Sequence, residues 1–227
     1  MVKPIYEPKG KAKEYGDYAI NIYTGCPHRC FYCFAPNVLR KDREKFHTEV
    51  MPREGIVEAT RKQIEKEGIT GKLIHLCFTC DPYPTGHDST ATREIIRILK
   101  ETGNHVQILT KGDGRRDIDL LDGNDWYGIT YDGKTESNDQ IFAYHMAREA
   151  GVKTWISFEP VLDAEKILTV ITEIGRSGGA DKIKIGKLNY HPSDIYWKSF
   201  GQKAEQLCQM YGIDYYIKES LRKEMED

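Results

Sequence analysis

The chain has 227 residues, of which 39% are hydrophobic and 30% charged, and this size and mixture are typical of one globular domain. With 33 Lys and Arg against 35 Asp and Glu, the formal net charge is −2, which argues against a domain that coats DNA or membranes through charge alone. The sequence has no unbroken apolar run of about 20 residues and no apolar N-terminal stretch typical of a signal peptide. We therefore expect a cytoplasmic protein without membrane contact, whose six cysteines stay reduced.

Strands and helices alternate along the predicted chain. Runs rich in β-branched and aromatic residues predict strands at 18–23, 73–78, 106–109, 126–130, 152–156, 183–185 and 213–217. Amphipathic helices are predicted between them: one starts at Pro52, one is capped by Asp163 and one carries Phe200 to Tyr211. Five helical patterns end at a glycine, which forms a left-handed cap without Cβ strain: Gly68, Gly103, Gly151, Gly178 and Gly212. This order predicts βαβ units around a parallel sheet, either a partial (β/α) barrel or a doubly wound sheet.

Polar residues follow the predicted strands at their carboxyl ends, where parallel α/β folds gather their chemistry. The residues at these ends include Thr79, Cys80, Asp81, Thr110, Lys111, Thr130 and Glu159. We expect them to share a polar pocket. Basic residues near the same ends predict a cationic rim if they converge: Lys111, Arg115, Arg116, Lys184 and Lys187. Two charged segments, 40–45 and 218–224, predict a solvated helix face and a short exposed helix.

Three cysteines, Cys26, Cys30 and Cys33, form a C-x3-C-x2-C motif directly after the first predicted strand. Three thiolates on one tight loop hold three irons of a cubane cluster and leave its fourth iron open. A zinc ion needs four ligands, and His28 is the candidate for the fourth, but it lies in the same turn and is cramped for a regular tetrahedron.

The other three cysteines predict no second cluster. Cys77 and Cys80 are three residues apart, and in a strand such residues point to opposite faces. We therefore expect neither a disulfide nor a shared metal between them. Cys77 and Cys208 lie on apolar faces and are predicted to be core residues.

The cysteine loop resembles the motif of the radical SAM superfamily, C-x3-C-x-aromatic-C, with Tyr32 as the aromatic residue. Residues 79–81 and 110–111 are similar to the Thr-Ser-Asp and Thr-Lys motifs of the spore-photoproduct-lyase-like branch. The resemblance implies an α/β fold, a partial (β/α)6 TIM-type barrel with parallel strands and outer helices. The radical SAM core would span about residues 18–190 of a single domain, 1–227, with a C-terminal helix and strand extension at 191–227.

The resemblance also implies the cofactors, a [4Fe–4S] cluster and S-adenosylmethionine (SAM). Cys26, Cys30 and Cys33 match the cluster ligands. The residues expected near SAM are Tyr32, Cys80, Asp81, Lys111, Thr130 and Glu159. An electron from a donor such as flavodoxin or ferredoxin would reach the cluster, which cleaves SAM to a 5′-deoxyadenosyl radical that abstracts hydrogen from a substrate.

Two positions depart from the lyase-like pattern. Phe78 stands where the lyases carry a hydrogen-donating cysteine, and Phe34 stands where they carry a tyrosine. Repair of a thymine dimer is therefore not predicted, and no catalytic residue is named. By analogy the expected substrate is a small molecule, a nucleobase or nucleotide, free or within a nucleic acid. Two alternatives stay open, an activase that generates a glycyl radical on a partner protein and a non-catalytic iron–sulfur or zinc-binding module.

Overall fold

Eight strands form one sheet in the computed structural model, which describes residues 3–226. The strands lie side by side in chain order: β1 (Ile5–Tyr6), β2 (Tyr18–Ile20), β3 (Leu73–Leu76), β4 (His105–Thr110), β5 (Trp126–Thr130), β6 (Lys153–Phe158), β7 (Lys182–Ile185) and β8 (Tyr215–Ile217). β1 is antiparallel to β2, and every later neighbour is parallel. The predicted parallel α/β sheet is confirmed. β1 was not predicted, because a two-residue strand leaves no periodic pattern.

Helices connect the strands on the outside of the sheet. In the described part of the chain they are α1 (Ala35–Leu39), α2 (Arg43–Thr48), α3 (Ile56–Glu67), α4 (Thr90–Glu101), α5 (Asn138–Glu149), α6 (Ala164–Ser177), α7 (Trp197–Tyr211) and α8 (Glu219–Glu226). The predicted cap of α6 is confirmed, because the Asp163 side chain accepts a hydrogen bond from Lys166 N. The helix predicted to start at Pro52 begins instead at Ile56, because Pro52 pairs with Tyr23 in an isolated bridge.

The two faces of the sheet differ in chemistry. The outer face is apolar, and residues such as Ile74, Ile108 and Ile183 are fully buried beneath the helices. The inner face carries a polar and aromatic row in register across the strands: His75, Gln107, Trp155, Ser157 and Lys184. None of the helices among residues 3–226 is both long and apolar enough to cross a bilayer.

Gly128 shows how closely the inner face is packed. It lies opposite Trp155 in the β5–β6 register, and a Cβ atom at Gly128 would lie 2.1 Å from the indole Nε1 of Trp155. That nitrogen donates a hydrogen bond of 2.9 Å to the Ile108 carbonyl. The missing side chain therefore admits the largest residue of the barrel interior.

Segments from the two ends of the chain meet inside the curved sheet. Tyr15 follows a short 3₁₀ turn at Gly10–Glu14, and its ring centroid lies 5.6 Å from that of His75. Its hydroxyl donates to the Glu159 carboxylate. Lys218, directly after β8 and only 1% exposed, lies 3.1 Å from Glu159 Oε2 and 3.6 Å from Glu14 Oε1. The short helix predicted at 218–224 is present as α8, but the prediction that it is exposed was wrong, because Lys218, Leu221 and Met225 are buried.

Candidate functional site

The cysteine loop follows β2 in the chain and packs against α2. Cys26 N donates to the Phe46 carbonyl at 3.1 Å, and the Cys26 carbonyl lies 2.7 Å from His47 Nδ1. A Cβ atom on Gly25 would lie 2.2 Å from the Phe46 carbonyl oxygen. Only glycine allows this approach of loop and helix, so Gly25 fixes where the first cysteine sits.

Arg43, in the first turn of α2, binds the backbone of the cysteine loop. Its guanidinium donates to the carbonyls of Cys30 at 2.7 Å, Phe31 at 2.9 Å and Cys33 at 3.3 Å. Arg43 is exposed, as the prediction of a solvated face at 40–45 requires, and it also binds three loop carbonyls. Arg43 holds together the segment that carries two of the three cysteines.

The three cysteine side chains lie half-buried in this loop. Burial raises the pKa of the Cys26 thiol, as does the nearby Asp81 carboxylate, and burial also raises the pKa of Cys33. The Cys26 and Cys33 thiols are protonated at neutral pH unless a cation takes the place of the protons. Three thiolates on one loop, without a fourth cysteine in it, fit a [4Fe–4S] cluster with one open iron.

His28 lies within the same loop and faces a carboxylate. Its Nε2 is 3.1 Å from Asp81 Oδ2, and both side chains are largely buried. A zinc site would need His28 as its fourth ligand, but the Nε2 atom of His28 already faces the Asp81 carboxylate. The donor set therefore fits an iron–sulfur cluster better than a zinc ion.

Asp81, beyond the end of β3, joins the loop to the strand ends. Its Oδ1 accepts from the Thr110 hydroxyl at 2.5 Å and from Tyr83 N at 2.8 Å, and its Oδ2 accepts from Lys111 N at 2.8 Å. Burial raises the pKa of Asp81, but His28 and these hydrogen bonds outweigh it, so the pKa lies below its usual value. The ionised Asp81 side chain thus connects the cysteine loop with the ends of β3 and β4.

Lys111 and Tyr32 converge on Asp132, a residue that sequence reasoning missed. Lys111 Nζ lies 2.7 Å from Asp132 Oδ2, and the Tyr32 hydroxyl donates to the same oxygen at 2.9 Å. Burial raises the pKa of Asp132, but Lys111 and the Thr135 hydroxyl outweigh it and hold the pKa far below its usual value. The one available signal was the position of Asp132 just beyond the end of β5.

Cys80 lies between the loop and the core. β3 ends at Leu76, and Cys77 has a positive φ of 72°, so the strand alternation does not continue to Cys80. Cys80 Sγ accepts from Tyr23 N at 3.3 Å, and both cysteines are free thiols. The prediction that these cysteines point apart assumed one continuous strand, and the structure does not have it. Cys77 and Cys208 are buried, as predicted.

Thr130 and Glu159 are the two remaining residues that were predicted to lie near SAM. The Thr130 carbonyl accepts a 2.8 Å hydrogen bond from Gln140 Nε2 at the end of β5. Glu159 belongs to the interior group with Tyr15 and Lys218. Their contacts with SAM remain predictions.

The predicted cationic rim does not form. Lys111 pairs with Asp132, and Lys184 lies inside the barrel at 7% exposure. The remaining basic residues also pair with carboxylates, Arg115 with Asp113 and Asp139, Arg116 with Asp117, and Lys187 with Glu224. Such pairs leave little free positive charge for an anionic ligand at these positions.

A second cluster of ionisable groups lies at the opposite ends of the strands. Within residues 3–226, His105, Asp122 and Asp125 place one ligand atom each within 4.8 Å of one another. Lys100 Nζ lies 2.6 Å from both carboxylates. Lys100 offsets one of the two negative charges of this acidic pair.

Comparison with known proteins gives weak sequence similarity. No family model matches the chain. Two uncharacterized proteins, one of Mycobacterium tuberculosis and one of Mycobacterium bovis, are each 32% identical to it over 110 residues, which make up 46% of this chain. The chain spans about a third of the length of these curated relatives, 32% of each.

Comparison with solved structures gives a clear fold similarity. A doubly substituted variant of spore photoproduct lyase, with bound AdoMet and dinucleoside spore photoproduct, superposes with a TM-score of 0.68 over 93% of this chain and 78% of the other, at 14% identity. A singly substituted variant with the dinucleoside spore photoproduct gives a TM-score of 0.65 with the same coverage and identity. The resemblance stated from the sequence is confirmed at the level of the fold, because the chain shares the α/β partial barrel of these lyase structures.

Proposed function

We propose that this chain is a radical SAM enzyme. The observation that carries the proposal is the C-x3-C-x2-C loop, anchored by Arg43 at the carboxyl end of β2 and joined through Asp81 to Lys111. The partial barrel supports it, because a structure with the same fold holds AdoMet.

Each residue of the site would have a distinct task. Cys26, Cys30 and Cys33 would lose their protons and ligate a [4Fe–4S] cluster. Lys111 would exchange its contact with Asp132 for the carboxylate of SAM, a charge-assisted hydrogen bond of similar strength. When bound, the cluster and SAM supply a one-electron reductive cleavage that yields a 5′-deoxyadenosyl radical.

The proposed substrate class is a nucleobase or nucleotide. The structural neighbour binds a dinucleoside, and aromatic side chains stand exposed beside the cysteine loop in this chain. Phe31 is 54% exposed, and its ring centroid lies 5.3 Å from that of His191. Exposed aromatic rings of this kind stack on bases with little sequence preference.

Anaerobic reconstitution with iron and sulfide, followed by dithionite and SAM, tests the activity. We expect 5′-deoxyadenosine, measured by liquid chromatography, and none from Cys30→Ala. Cys208→Ala is the matched control, since Cys208 is buried in α7, and it should retain the product. A colourless zinc-loaded protein, or product from Cys30→Ala at the wild-type rate, would contradict the proposal. Transfer of deuterium from a labelled nucleotide into 5′-deoxyadenosine tests the substrate class.

A further inference from the structure

A cavity of about 330 Å³ lies at the amino ends of β2 and β3. Its walls are the segments 15–18 and 71–73, together with His75 and Gln107 from the inner face of the sheet. The cysteine loop follows the opposite, carboxyl end of β2, and none of its residues lines this cavity. The cavity is therefore separate from the candidate functional site, and its volume suits a small ligand.

The hydrogen bonds of His75 fix which of its ring nitrogens carries the proton. Gln107 Nε2 donates to the Tyr15 carbonyl at 3.0 Å and lies 2.9 Å from His75 Nδ1. A carbonyl only accepts, so the NH₂ group of the amide must face it, and an NH₂ group only donates. Nδ1 is therefore the acceptor. Burial lowers the pKa of His75 to about 3, so the ring is neutral and its single proton is on Nε2.

The Nε2–H group of His75 is a buried donor without an acceptor. The residue is 1% exposed, and Nε2 has no hydrogen-bond partner among residues 3–226. A buried polar group that lacks a partner is unfavourable, and such groups are few in folded proteins. A ligand that brings an oxygen acceptor into the cavity would satisfy this donor.

The charges around the cavity favour an anion as that ligand. Lys184 and Lys218 add to the lowering of the His75 pKa, because their positive charges face the ring. Lys72 is exposed in the wall of the cavity and forms no ion pair with a carboxylate in the described part of the chain. Asp17 is the acidic side chain of the wall, but it is 77% exposed and pairs with a lysine four residues earlier.

We propose that this cavity is a binding site for a small monocarboxylate. One carboxylate oxygen accepts from His75 Nε2, and the negative charge faces Lys72. A single charge fits better than a phosphate dianion, because the neutral imidazole supplies one donor and each further buried charge needs its own partners. The inference is independent of the proposed function, because the site uses no residue of the cysteine loop.

Isothermal titration calorimetry of the reconstituted full chain with sodium acetate tests the site, with sodium chloride at equal ionic strength as the blank. We expect saturable binding of acetate. Lys72→Gln should weaken it roughly threefold to fivefold, the effect of one exposed charge. Lys153→Gln is the matched control and should bind as the wild type does. Lys153 is also exposed near the start of a strand, and both lysines lie 5.6 Å from an aromatic ring centroid, Lys72 from Tyr18 and Lys153 from Trp126.

His75→Phe tests the buried donor itself. The substitution keeps an aromatic ring to stack on Phe78, whose centroid lies 4.3 Å from that of His75, but it removes the N–H group. Acetate binding should weaken at least roughly tenfold, since a hydrogen bond to a charged group is lost. Helical content by circular dichroism checks that this variant folds, and if it does not, Lys72→Gln and its control decide the proposal.

Three results would overturn the inference. Acetate that gives no more heat than chloride would mean that the cavity holds only water. Wild-type affinity in a folded His75→Phe variant, or equal affinity in Lys72→Gln and Lys153→Gln, would place the acetate elsewhere on the protein. Tighter binding of inorganic phosphate than of acetate would exclude a monocarboxylate as the preferred ligand.

Discussion

Asp132 is the buried carboxylate on which three site residues converge. Lys111, Tyr32 and Thr135 all direct polar atoms at its Oδ2. The Asp132 side chain is fully buried, whereas that of Lys111 is 12% exposed. Breaking one member of such a pair leaves a buried charge without its partner, which costs more than the pair contributes when intact.

Asp132→Asn should lower the free energy of unfolding by about 3 kcal/mol at pH 7, because Lys111 is left as an uncompensated buried charge. The pKa of Asp132 is depressed below its ordinary value of 3.8. The contribution of the Asp132 carboxylate to the free energy of unfolding is therefore fully present above about pH 4 and is lost as the pH falls further. The difference between wild type and variant should therefore shrink between pH 4 and pH 3 in urea titrations of the cluster-free chain.

Asp139→Asn is the control for this prediction. Asp139 pairs with Arg115 at 3.1 Å, but its side chain is 70% exposed, and exposed pairs contribute less than about 1 kcal/mol. A variant at Asp132 that unfolds like this control would show that the buried pair adds nothing to stability.

Local spacing predicted some site residues and not others. Cys26, Cys30 and Cys33 lie within one loop, so their spacing alone indicates a shared ligand. Asp132 contacts a tyrosine 100 positions away in the chain. A contact of that separation depends on the fold and leaves no periodic signal in the sequence.

At the scale of secondary structure, α2 shapes the cysteine loop from outside. The helix is short, and Asp42 caps it by accepting a hydrogen bond from Lys45 N. The alternating charges of 40–45 indicate a solvated helix, yet the same pattern also places Arg43 against the loop carbonyls. Sequence pattern predicts the helix, whereas the direction of one side chain depends on how the loop folds against it.

Arg43→Ala should weaken retention of the reconstituted cluster, because the carbonyls of Cys30, Phe31 and Cys33 lose their common donor. Outer residues that orient ligands typically change metal affinity by about 10–100-fold, so loss of iron to a chelator should be roughly tenfold faster. Arg43→Lys should slow the loss of iron only part of the way back to the wild-type rate. Its ammonium can still donate to a loop carbonyl, but it lacks the planar fork that reaches several carbonyls at once.

Arg61→Ala is the matched control for Arg43. Arg61 lies on α3 and faces Glu101 at 3.9 Å, with both side chains exposed. Equal rates of iron loss from Arg43→Ala and Arg61→Ala, at equal helical content by circular dichroism, would exclude Arg43 as a positioning residue.

At the scale of the whole molecule, the chain ends close the inner face of the sheet. The alternation of strands and helices predicts the order of the sheet, because each βαβ unit is local in sequence. The interior contacts were not predictable in this way. Tyr15 bonds Glu159, 144 positions along the chain, and Lys218 bonds the Lys11 carbonyl at a separation of 207. Such contacts exist only once the barrel has formed.

Lys184 is the residue through which this interior responds to pH. Its ammonium lies 4.5 Å from the ring centroid of Tyr15 and donates to the Glu14 carbonyl at 3.0 Å. The charged groups that face it are Lys218, Lys182, Glu14 and Glu159. Burial, together with the nearby Lys218 and Lys182, lowers the pKa of Lys184 from 10.5 to about 8, against the opposing effect of Glu14 and Glu159.

Because the folded pKa lies below the unfolded one, the folded protein bears an unfavourable charge at neutral pH and loses it as the pH rises through 8. The free energy of unfolding of the wild type should therefore rise between about pH 8 and pH 10 relative to that of Lys184→Met. At pH 7 the Lys184→Met variant should be more stable than the wild type by on the order of 2 kcal/mol. Urea titrations at several pH values measure both effects. Lys153→Met is the control, because Lys153 is exposed at the start of the neighbouring strand β6 and is not among the charged groups that face Lys184. Parallel pH profiles for wild type and Lys184→Met would mean that water reaches Lys184 and that the interior is not closed by the chain ends.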